Sequence, residues 1–257
     1  MTWDPADYPR SRGRVHLVRT GRLARLVLDN PAARNAMSVG MMADLLGSAA
    51  ALVAEPPGVL ILHGSDGFGF CSGGDLRDVR AHLMNPESAE GMPQAMGEAI
   101  AALASLPSVV IAAVEGHALG GGAELSQAAD IVVMAEDACV GFVQARLGVS
   151  PGWGGAARVV HRIGRARALR VLAAAERFHG PDAKSIGLAD EVVAPGDAVG
   201  HAEELAQRML QAPDAVLRGL VEIVRAPHPS RTESEVFARL WAGPDHRAAL
   251  RAVEAGG

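Results

Sequence analysis

Short apolar runs alternate with polar and glycine-rich segments along the first three quarters of the chain. Uninterrupted apolar runs rich in β-branched residues are typical of strands buried on both faces. They predict strands at 15–18, 23–28, 59–63, 109–114 and 131–135. Helical spacing and composition predict helices at about 38–55, from residue 76, and at about 94–106, 123–129, 165–176, 197–211, 213–225 and 231–251, with a polar break at 86–93. We therefore expect an α/β core over residues 1–196 and a helical C-terminal region over 197–257.

Two glycine-rich turns each follow a predicted strand and precede a predicted helix. One contains Gly120, Gly121 and Gly122, and the other is the segment Ser72-Gly73-Gly74-Asp75. Free backbone N–H groups at a helix start stabilise an oxygen that becomes negative during a reaction. Two such turns at neighbouring strand ends would form an oxyanion hole. Tight turns that serve packing alone explain the glycines equally well.

Glu124 lies three residues after Gly121, close to a predicted helix start. A carboxylate there can exchange a proton at the rim of an oxygen site. It can equally be a first-turn carboxylate that is stabilised by the helix dipole, which is a common arrangement. Residue type and spacing leave both roles open.

Two segments resemble known catalytic or cofactor-binding motifs, but each lacks a feature that its motif requires. Gly148-x-Ser150-x-Gly152 has the spacing of a hydrolase nucleophile elbow, but the residue after the serine is Pro151, which has no N–H to donate to an oxyanion. Gly67-x-Gly69 lacks the third glycine of a dinucleotide-binding turn and lies too far beyond its strand. Neither a serine nucleophile nor a dinucleotide is therefore expected.

Composition and charge argue against several further kinds of binding site and partner. The formal net charge of −5 gives a nucleic-acid partner no electrostatic support. The two cysteines are far apart, which predicts neither a disulfide framework nor a zinc site. No apolar run is long enough to span a membrane, and residues 1–14 are polar rather than signal-like. We expect a soluble cytoplasmic protein that binds no metal, nucleic acid or membrane.

Four segments resemble the crotonase (enoyl-CoA hydratase/isomerase) superfamily. Residues 70–76, FCSGGDL, and 111–125, IAAVEGHALGGGAEL, resemble its two signature segments. Residues 30–36, NPAARNA, resemble its CoA-contacting turn, and 182–190, DAKSIGLAD, a late segment. The resemblance implies a spiral of ββα units, a C-terminal region that forms a homotrimer or a dimer of trimers, and an acyl-CoA or acyl-carrier-protein thioester substrate. It implies no cofactor beyond the coenzyme A of the substrate.

The same resemblance assigns roles to residues of the two turns. It implies that the N–H groups of Gly74 and Gly121 form the oxyanion hole. Trp153 is expected to wall the acyl pocket, although a core tryptophan is a reasonable alternative. The remaining residues expected to contact the substrate or CoA are Arg34, Ala36, Ser72, Gly73, Asp75, Leu76, Leu119 and Gly120.

Gln144 is the main departure from the hydratase pattern. Hydratases of this family hold water with two glutamates, and the resemblance aligns Glu124 with the first and Gln144 with the second. A glutamine does not exchange a proton near neutral pH, so two-carboxylate hydration is not expected. Residues 142–144, 148–158 and 241–244 resemble the ethylmalonyl-CoA decarboxylase branch, which removes CO2 from short 2-carboxyacyl-CoA thioesters.

Decarboxylation fits these residues chemically. Loss of CO2 leaves a thioester enolate, which an oxyanion hole stabilises without a general base. An amide at residue 144 also avoids repulsion against a substrate carboxylate, roughly 4 kcal/mol at 4 Å and an effective dielectric constant of about 20. In this hypothesis Gln144 contacts the α-substituent and Glu124 is the candidate proton donor. The alternatives are an enoyl-CoA hydratase, dehydratase or isomerase that works with Glu124 alone, and a CoA-thioester-binding protein without turnover.

Overall fold

The computed structural model describes residues 3–9, 11–65 and 67–256. Met1, Thr2 and Arg10 of the polar opening segment lie outside the described residues, as do Asp66, in the loop after the predicted strand 59–63, and Gly257. The described strands are β1 Arg14–Thr20, β2 Leu23–Asp29, β3 Val59–Gly64, β4 Val109–Val114, β5 His117–Leu119, β6 Ile131–Ala135, β7 Cys139–Gly141, β8 Arg177–His179 and β9 Glu191–Val193. The described α-helices are α1 Val39–Ala54, α2 Leu76–His82, α3 Pro86–Ala104, α4 Gly121–Ser126, α5 Gly155–Ile163, α6 Arg165–Ala174, α7 Gly180–Ile186, α8 Ala198–Met209, α9 Asp214–Arg225, α10 Pro229–Leu240 and α11 Pro244–Gly256.

The described strands form two sheets. The larger has the order β1-β2-β3-β4-β6-β9, in which β1 and β2 are antiparallel and every later pair is parallel. The smaller has the order β5-β7-β8, with β5 and β7 parallel and β7 and β8 antiparallel. Single bridges extend its edge, joining Cys71 to Ala118 and Met37 to Gly74. The predicted α/β architecture is confirmed.

The central strands of the larger sheet are buried on both faces, which explains their uninterrupted apolar runs. In β3, Leu60 and Leu62 point into the main core, whereas Val59 and Ile61 point into a second core that is covered by α8. Burial of each such side chain stabilises the fold by about 1.5–3 kcal/mol. The two cores hold the carboxyl ends of β3 and β4, and hence the turns that follow them, in fixed positions.

Several element boundaries differ from the expectation. The predicted break at 86–93 is helical: α3 begins at Pro86, where the missing N–H costs nothing, and the Asn85 side chain caps it by accepting from the Ser88 N–H at 2.8 Å. The predicted helix at 231–251 is two helices, because Ala242 adopts a left-handed φ of 57° between them. The short strands β5, β7, β8 and β9 and the helices α5 and α7 were not predicted.

Within the described part of the chain, no helix combines the length and apolar character needed to cross a bilayer.

Candidate active site

The structure brings the two glycine-rich turns together through strand-like backbone bonds. The Cys71 N–H donates to the His117 carbonyl at 2.8 Å, and the Leu119 N–H donates to the Cys71 carbonyl at 2.9 Å. Gly73 has a φ of 102°, and a Cβ built on it would lie 2.9 Å from the Leu119 carbonyl oxygen and 3.7 Å from the Gly121 nitrogen. Only glycine therefore allows this approach.

The N–H groups of Gly74 and Gly121 are left without an acceptor in the described chain. On either side of Gly74, the Gly73 carbonyl accepts from the Met37 N–H at 2.7 Å and the Asp75 N–H donates to the Met37 carbonyl at 2.8 Å. Gly121 is the first residue of α4, where a backbone N–H has no partner within the helix. Both groups are available to a bound oxygen.

The glycine at 121 is required by space rather than by its backbone angle. The six-membered ring of Trp153 lies so close that a Cβ at residue 121 would be 2.2 Å from Cζ3. At Gly122 a Cβ would be 2.1 Å from the Cys71 carbonyl oxygen. The turn is therefore packed tightly and at the same time presents a free N–H group, so the two explanations of its glycines do not exclude each other.

Glu124 is buried in the first turn of α4, and both of its carboxylate oxygens are fully occupied. Oε1 accepts from Gln144 Nε2 at 2.9 Å and from the Gly152 N–H at 3.2 Å. Oε2 accepts from the N–H groups of Trp153 and Gly155 at 2.7 and 2.8 Å. Hydrogen bonds from backbone N–H groups to an ionised carboxylate are among the stronger ones in proteins. Glu124 therefore anchors the 151–155 turn onto α4.

Gln144 lies in a short 3-10 helix, Val143–Leu147, and its side chain is buried beside the turn that contains Gly120. Its amide carbon is 4.0 Å from the position of a Cβ at Gly120. Because the amide nitrogen is used on Glu124, the side chain presents its oxygen, and this buried Oε1 has no hydrogen-bond partner.

Trp153 connects three parts of the site. Its N–H is held by Glu124, its ring covers Gly121, and its Nε1 donates to the Met92 sulfur of α3 at 3.3 Å. The Arg158 guanidinium donates to the Trp153 carbonyl at 2.8 Å; burial lowers the pKa of Arg158, and the nearby charge of Glu124 acts in the opposite direction. Neither Met92 nor Arg158 was predicted as a site residue: Arg158 ends a segment that carries the resemblance but was assigned no role, and nothing in the sequence places Met92 near the site.

The predicted CoA-contacting turn lies against the first glycine turn. The Ser72 N–H donates to the Arg34 carbonyl at 3.2 Å, and the Ser72 hydroxyl donates to the Ala33 carbonyl at 3.0 Å. Arg34 is exposed with a left-handed φ of 54°, and Ala36 is buried beside it. The structure therefore groups Arg34, Ala36, Ser72 and Gly73.

Two further predicted contacts lie at the start of α2. Asp75 caps this helix, since its Oδ1 accepts from the Arg77 N–H at 2.9 Å. Leu76 presents a large apolar side chain that is 55% exposed. The Leu76 side chain is therefore accessible from solvent, as its predicted contact with the substrate requires.

Asn35 was missed by the sequence reasoning. It is fully buried, with a left-handed φ of 55°. Its Oδ1 accepts from the Asn30 N–H at 2.9 Å, and its Nδ2 donates to the Gly69 carbonyl at 2.7 Å. Asparagine tolerates this backbone conformation better than most residues, which was the available signal. Asn35 fixes the predicted CoA-contacting turn, residues 30–36, to Gly69 in the loop that follows β3.

Cys71 is close to the site but is not built as a nucleophile. Burial raises the pKa of its thiol to about 11, and its sulfur lies 3.7 Å from the Gly73 carbonyl oxygen. A thiol rather than a thiolate is present at neutral pH, and only the thiolate attacks.

Comparison with known proteins identifies the family. Residues 19–240 match the family model described as enoyl-CoA hydratase/isomerase. The chain belongs to this family. The resemblance drawn from the two signature segments is thereby confirmed.

Relatives and solved structures of the enoyl-CoA hydratase/isomerase family extend this result. The chain is 36% identical over 255 residues to ethylmalonyl-CoA decarboxylase of Danio rerio, covering 95% of this chain and 84% of that protein. It is 37% identical over 235 residues to the Mus musculus protein of the same name, covering 88% and 72%. The crystal structure of enoyl-CoA hydratase from Bacillus anthracis is 26% identical, covers 95% of this chain and 96% of that chain, and superposes with a TM-score of 0.86. The predicted crotonase fold is confirmed.

Proposed function

We propose that this protein is a lyase that removes CO2 from a short 2-carboxyacyl-CoA thioester such as ethylmalonyl-CoA or methylmalonyl-CoA. One observation carries the proposal. Gln144, whose amide is hydrogen-bonded to Glu124, occupies the position where a hydratase of this family needs a second carboxylate. Relatives named ethylmalonyl-CoA decarboxylase, similar over most of the chain, support it.

The two free N–H groups supply the chemistry of the first step. The thioester oxygen accepts from Gly74 and Gly121, the bond from the α-carbon to the carboxylate breaks, and its electron pair moves into the enolate whose charge rests on that oxygen. Removal of one such donor from an oxyanion hole typically costs about 2.7–4 kcal/mol of transition-state stabilisation. This step needs no general base.

Glu124 supports this reaction as an anchor. The sequence suggested it as the proton donor, but its oxygens accept four hydrogen bonds from Gln144 and from the backbone of residues 152–155. Those donors also compensate its negative charge, which reduces repulsion against the α-carboxylate of a substrate. We therefore assign Glu124 the task of seating Trp153 and Gln144.

The remaining predicted contacts fit the acyl and CoA parts of the substrate. Trp153, which covers Gly121 and reaches Met92, walls the acyl pocket. Gln144 contacts the α-substituent. The CoA or carrier-protein arm passes the group formed by Arg34, Ala36, Ser72, Gly73, Asp75, Leu76, Leu119 and Gly120, and no further cofactor takes part.

We further propose a homotrimer or a dimer of trimers, with the helices after residue 197 at the interface. These helices expose large apolar side chains: Leu220, Val224, Phe237, Trp241, Leu250 and Val253. Exposed apolar groups of this extent mark interaction surfaces in soluble proteins.

A hydratase, dehydratase or isomerase remains the second candidate, because Glu124 is present and a structural neighbour at a TM-score of 0.86 is named an enoyl-CoA hydratase. A panel of thioesters separates the possibilities. Release of CO2 from ethylmalonyl-CoA or methylmalonyl-CoA supports the decarboxylase. A change in enoyl absorbance with crotonyl-CoA supports the second candidate, and binding without either reaction supports a CoA-thioester-binding protein.

A further inference from the structure

The orientation of the Gln144 amide is fixed by its neighbour. Glu124 accepts hydrogen bonds on both oxygens, so the group of Gln144 that faces it must be the donor, Nε2, at 2.9 Å. The reverse orientation would place two oxygens against each other. Oε1 is therefore the atom that Gln144 directs away from Glu124, and it is buried without a partner.

A buried carbonyl oxygen without a hydrogen bond is uncommon in folded proteins and destabilises them. A 2-carboxyacyl thioester does not relieve this cost, because its carboxylate and its thioester oxygen are both acceptors. A water molecule does relieve it, since water donates two hydrogen bonds and commonly occupies buried polar sites. The position of this water would be next to Gly120, which begins the turn that offers the Gly121 N–H.

The enolate left by CO2 loss needs a proton, and three titratable side chains in or beside the two turns are engaged elsewhere. Glu124 accepts four hydrogen bonds as a carboxylate. The Cys71 thiol is buried against the Gly73 carbonyl, and Asp75 caps α2. A water beside Gln144 fills this role without displacing any of them.

We infer that Gln144 is a positioning residue that holds, through Oε1, the water molecule that protonates the enolate. The inference rests on the proposed decarboxylation. The α-carbon takes a proton from this water, and the hydroxide that remains combines with the departing CO2 as bicarbonate. The substrate anion and one water thus give the acyl-CoA product and bicarbonate, with charge and atoms balanced.

The stereochemistry of protonation tests this role. Turnover of methylmalonyl-CoA in D2O gives propionyl-CoA with one deuterium at the α-carbon, whose configuration is read by NMR of a chiral derivative. A water held on one side should give one enantiomer in an excess of about ten to one, a preference that needs only about 1.4 kcal/mol. In Gln144→Leu, CO2 release should be slower but measurable, and the ratio among the deuterated products that form should fall toward one to one, because the enolate is then protonated by water that no residue positions.

Gln127 is a matched control. It is a buried amide three residues after Glu124, and its Nε2 donates to the Leu188 carbonyl at 3.1 Å rather than to a residue of the site. Gln127→Leu should keep the wild-type ratio. If Gln144→Leu does not fold, Gln144→Asn, which draws the oxygen back by one methylene, serves for the same comparison.

Three results would overturn the inference: a racemic product from the wild-type protein, an unchanged ratio in the Gln144 variant, or loss of CO2 release in that variant with the fold intact. Absence of CO2 release from the wild-type protein is a different result, which would count against the proposed function itself.

Discussion

The indole of Trp153 lies directly on the Cα of Gly121, so that a methyl group on residue 121 would overlap the ring at 2.2 Å. The residue that we propose to wall the acyl pocket and the residue that we propose to offer an oxyanion N–H are therefore in mutual contact. Glu124 sets their relative position. It lies in the helix that begins at Gly121, and its Oε2 accepts from the Trp153 N–H at 2.7 Å. A substitution at any one of the three residues is therefore expected to displace the other two.

Gly121→Ala should abolish most of the activity and leave the chain folded. The added methyl displaces either the ring or the N–H group, and loss of one oxyanion donor typically reduces kcat by about 100- to 1,000-fold. The measurement is kcat for CO2 release, with circular dichroism as the check on folding. Gly47→Ala is the matched control, since Gly47 lies in α1 with nothing within 4 Å of the new methyl group. Equal activity of both variants would contradict the assignment of Gly121.

Glu124→Gln should lower stability more than it alters the chemistry. Whichever way the new amide is turned, its NH2 group meets N–H donors where the carboxylate accepted from Gln144, Trp153 and their neighbours. A buried donor left unpaired costs about 1–3 kcal/mol, so the free energy of unfolding should fall by that amount. CO2 release should persist, and its dependence on pH near neutrality should keep its shape. A lost limb of the pH–rate profile would instead identify Glu124 as the proton donor.

Gln144→Glu should weaken decarboxylation. It places a second carboxylate at hydrogen-bond distance from Glu124, where the amide nitrogen now lies 2.9 Å from Oε1. The added charge repels a substrate carboxylate, so KM should rise more than kcat falls, unless the new glutamate takes up a proton. Kinetics with methylmalonyl-CoA measure this effect.

The same variant distinguishes a hydratase. If the protein were a hydratase that had lost its second carboxylate, Gln144→Glu should raise hydration of crotonyl-CoA by about 100- to 10,000-fold. That increase, together with unchanged CO2 release, would show that the protein belongs to the hydratase branch and that the decarboxylase proposal is wrong.

The oligomeric state gives an independent test. We expect sedimentation equilibrium at micromolar concentration to show a trimer or a hexamer, because the helices after residue 197 expose Phe237, at 60%, and Trp241, at 59%. Phe237→Glu should weaken the assembly, whereas Arg231→Glu, an exposed change on the same helix, should weaken it less. A wild-type monomer under these conditions would refute the proposal.

The long buried strands were predictable because burial on both faces leaves a clear trace in the sequence. The strands β4 and β6 have the predicted bounds, 109–114 and 131–135. The strands β5, β7, β8 and β9 span three residues each, which is too short for any periodicity to emerge. The start of α3 was misplaced because its first turn is polar and contains Pro86, a residue that is favoured at a helix start.

The candidate site was predictable in its glycines and less so in its contacts. Consecutive glycines after a strand show where the backbone approaches something closely, and the structure places Gly73 and Gly121 at such approaches. Three of the four hydrogen-bond donors to Glu124 are backbone N–H groups 28 to 31 residues further along the chain. Backbone groups have no sequence signal of their own, so this anchoring is visible only in the folded chain.

In the proposed reaction, the two free N–H groups of the glycine turns stabilise an enolate formed by loss of CO2. The most direct measurement uses ethylmalonyl-CoA labelled with 13C in its free carboxyl group, and follows labelled CO2 and bicarbonate together with butyryl-CoA. The account predicts that the wild-type protein forms the labelled product and butyryl-CoA in equal amounts and that Gly121→Ala forms both about 100-fold more slowly. Intact ethylmalonyl-CoA after prolonged incubation with folded wild-type protein that hydrates crotonyl-CoA would contradict it.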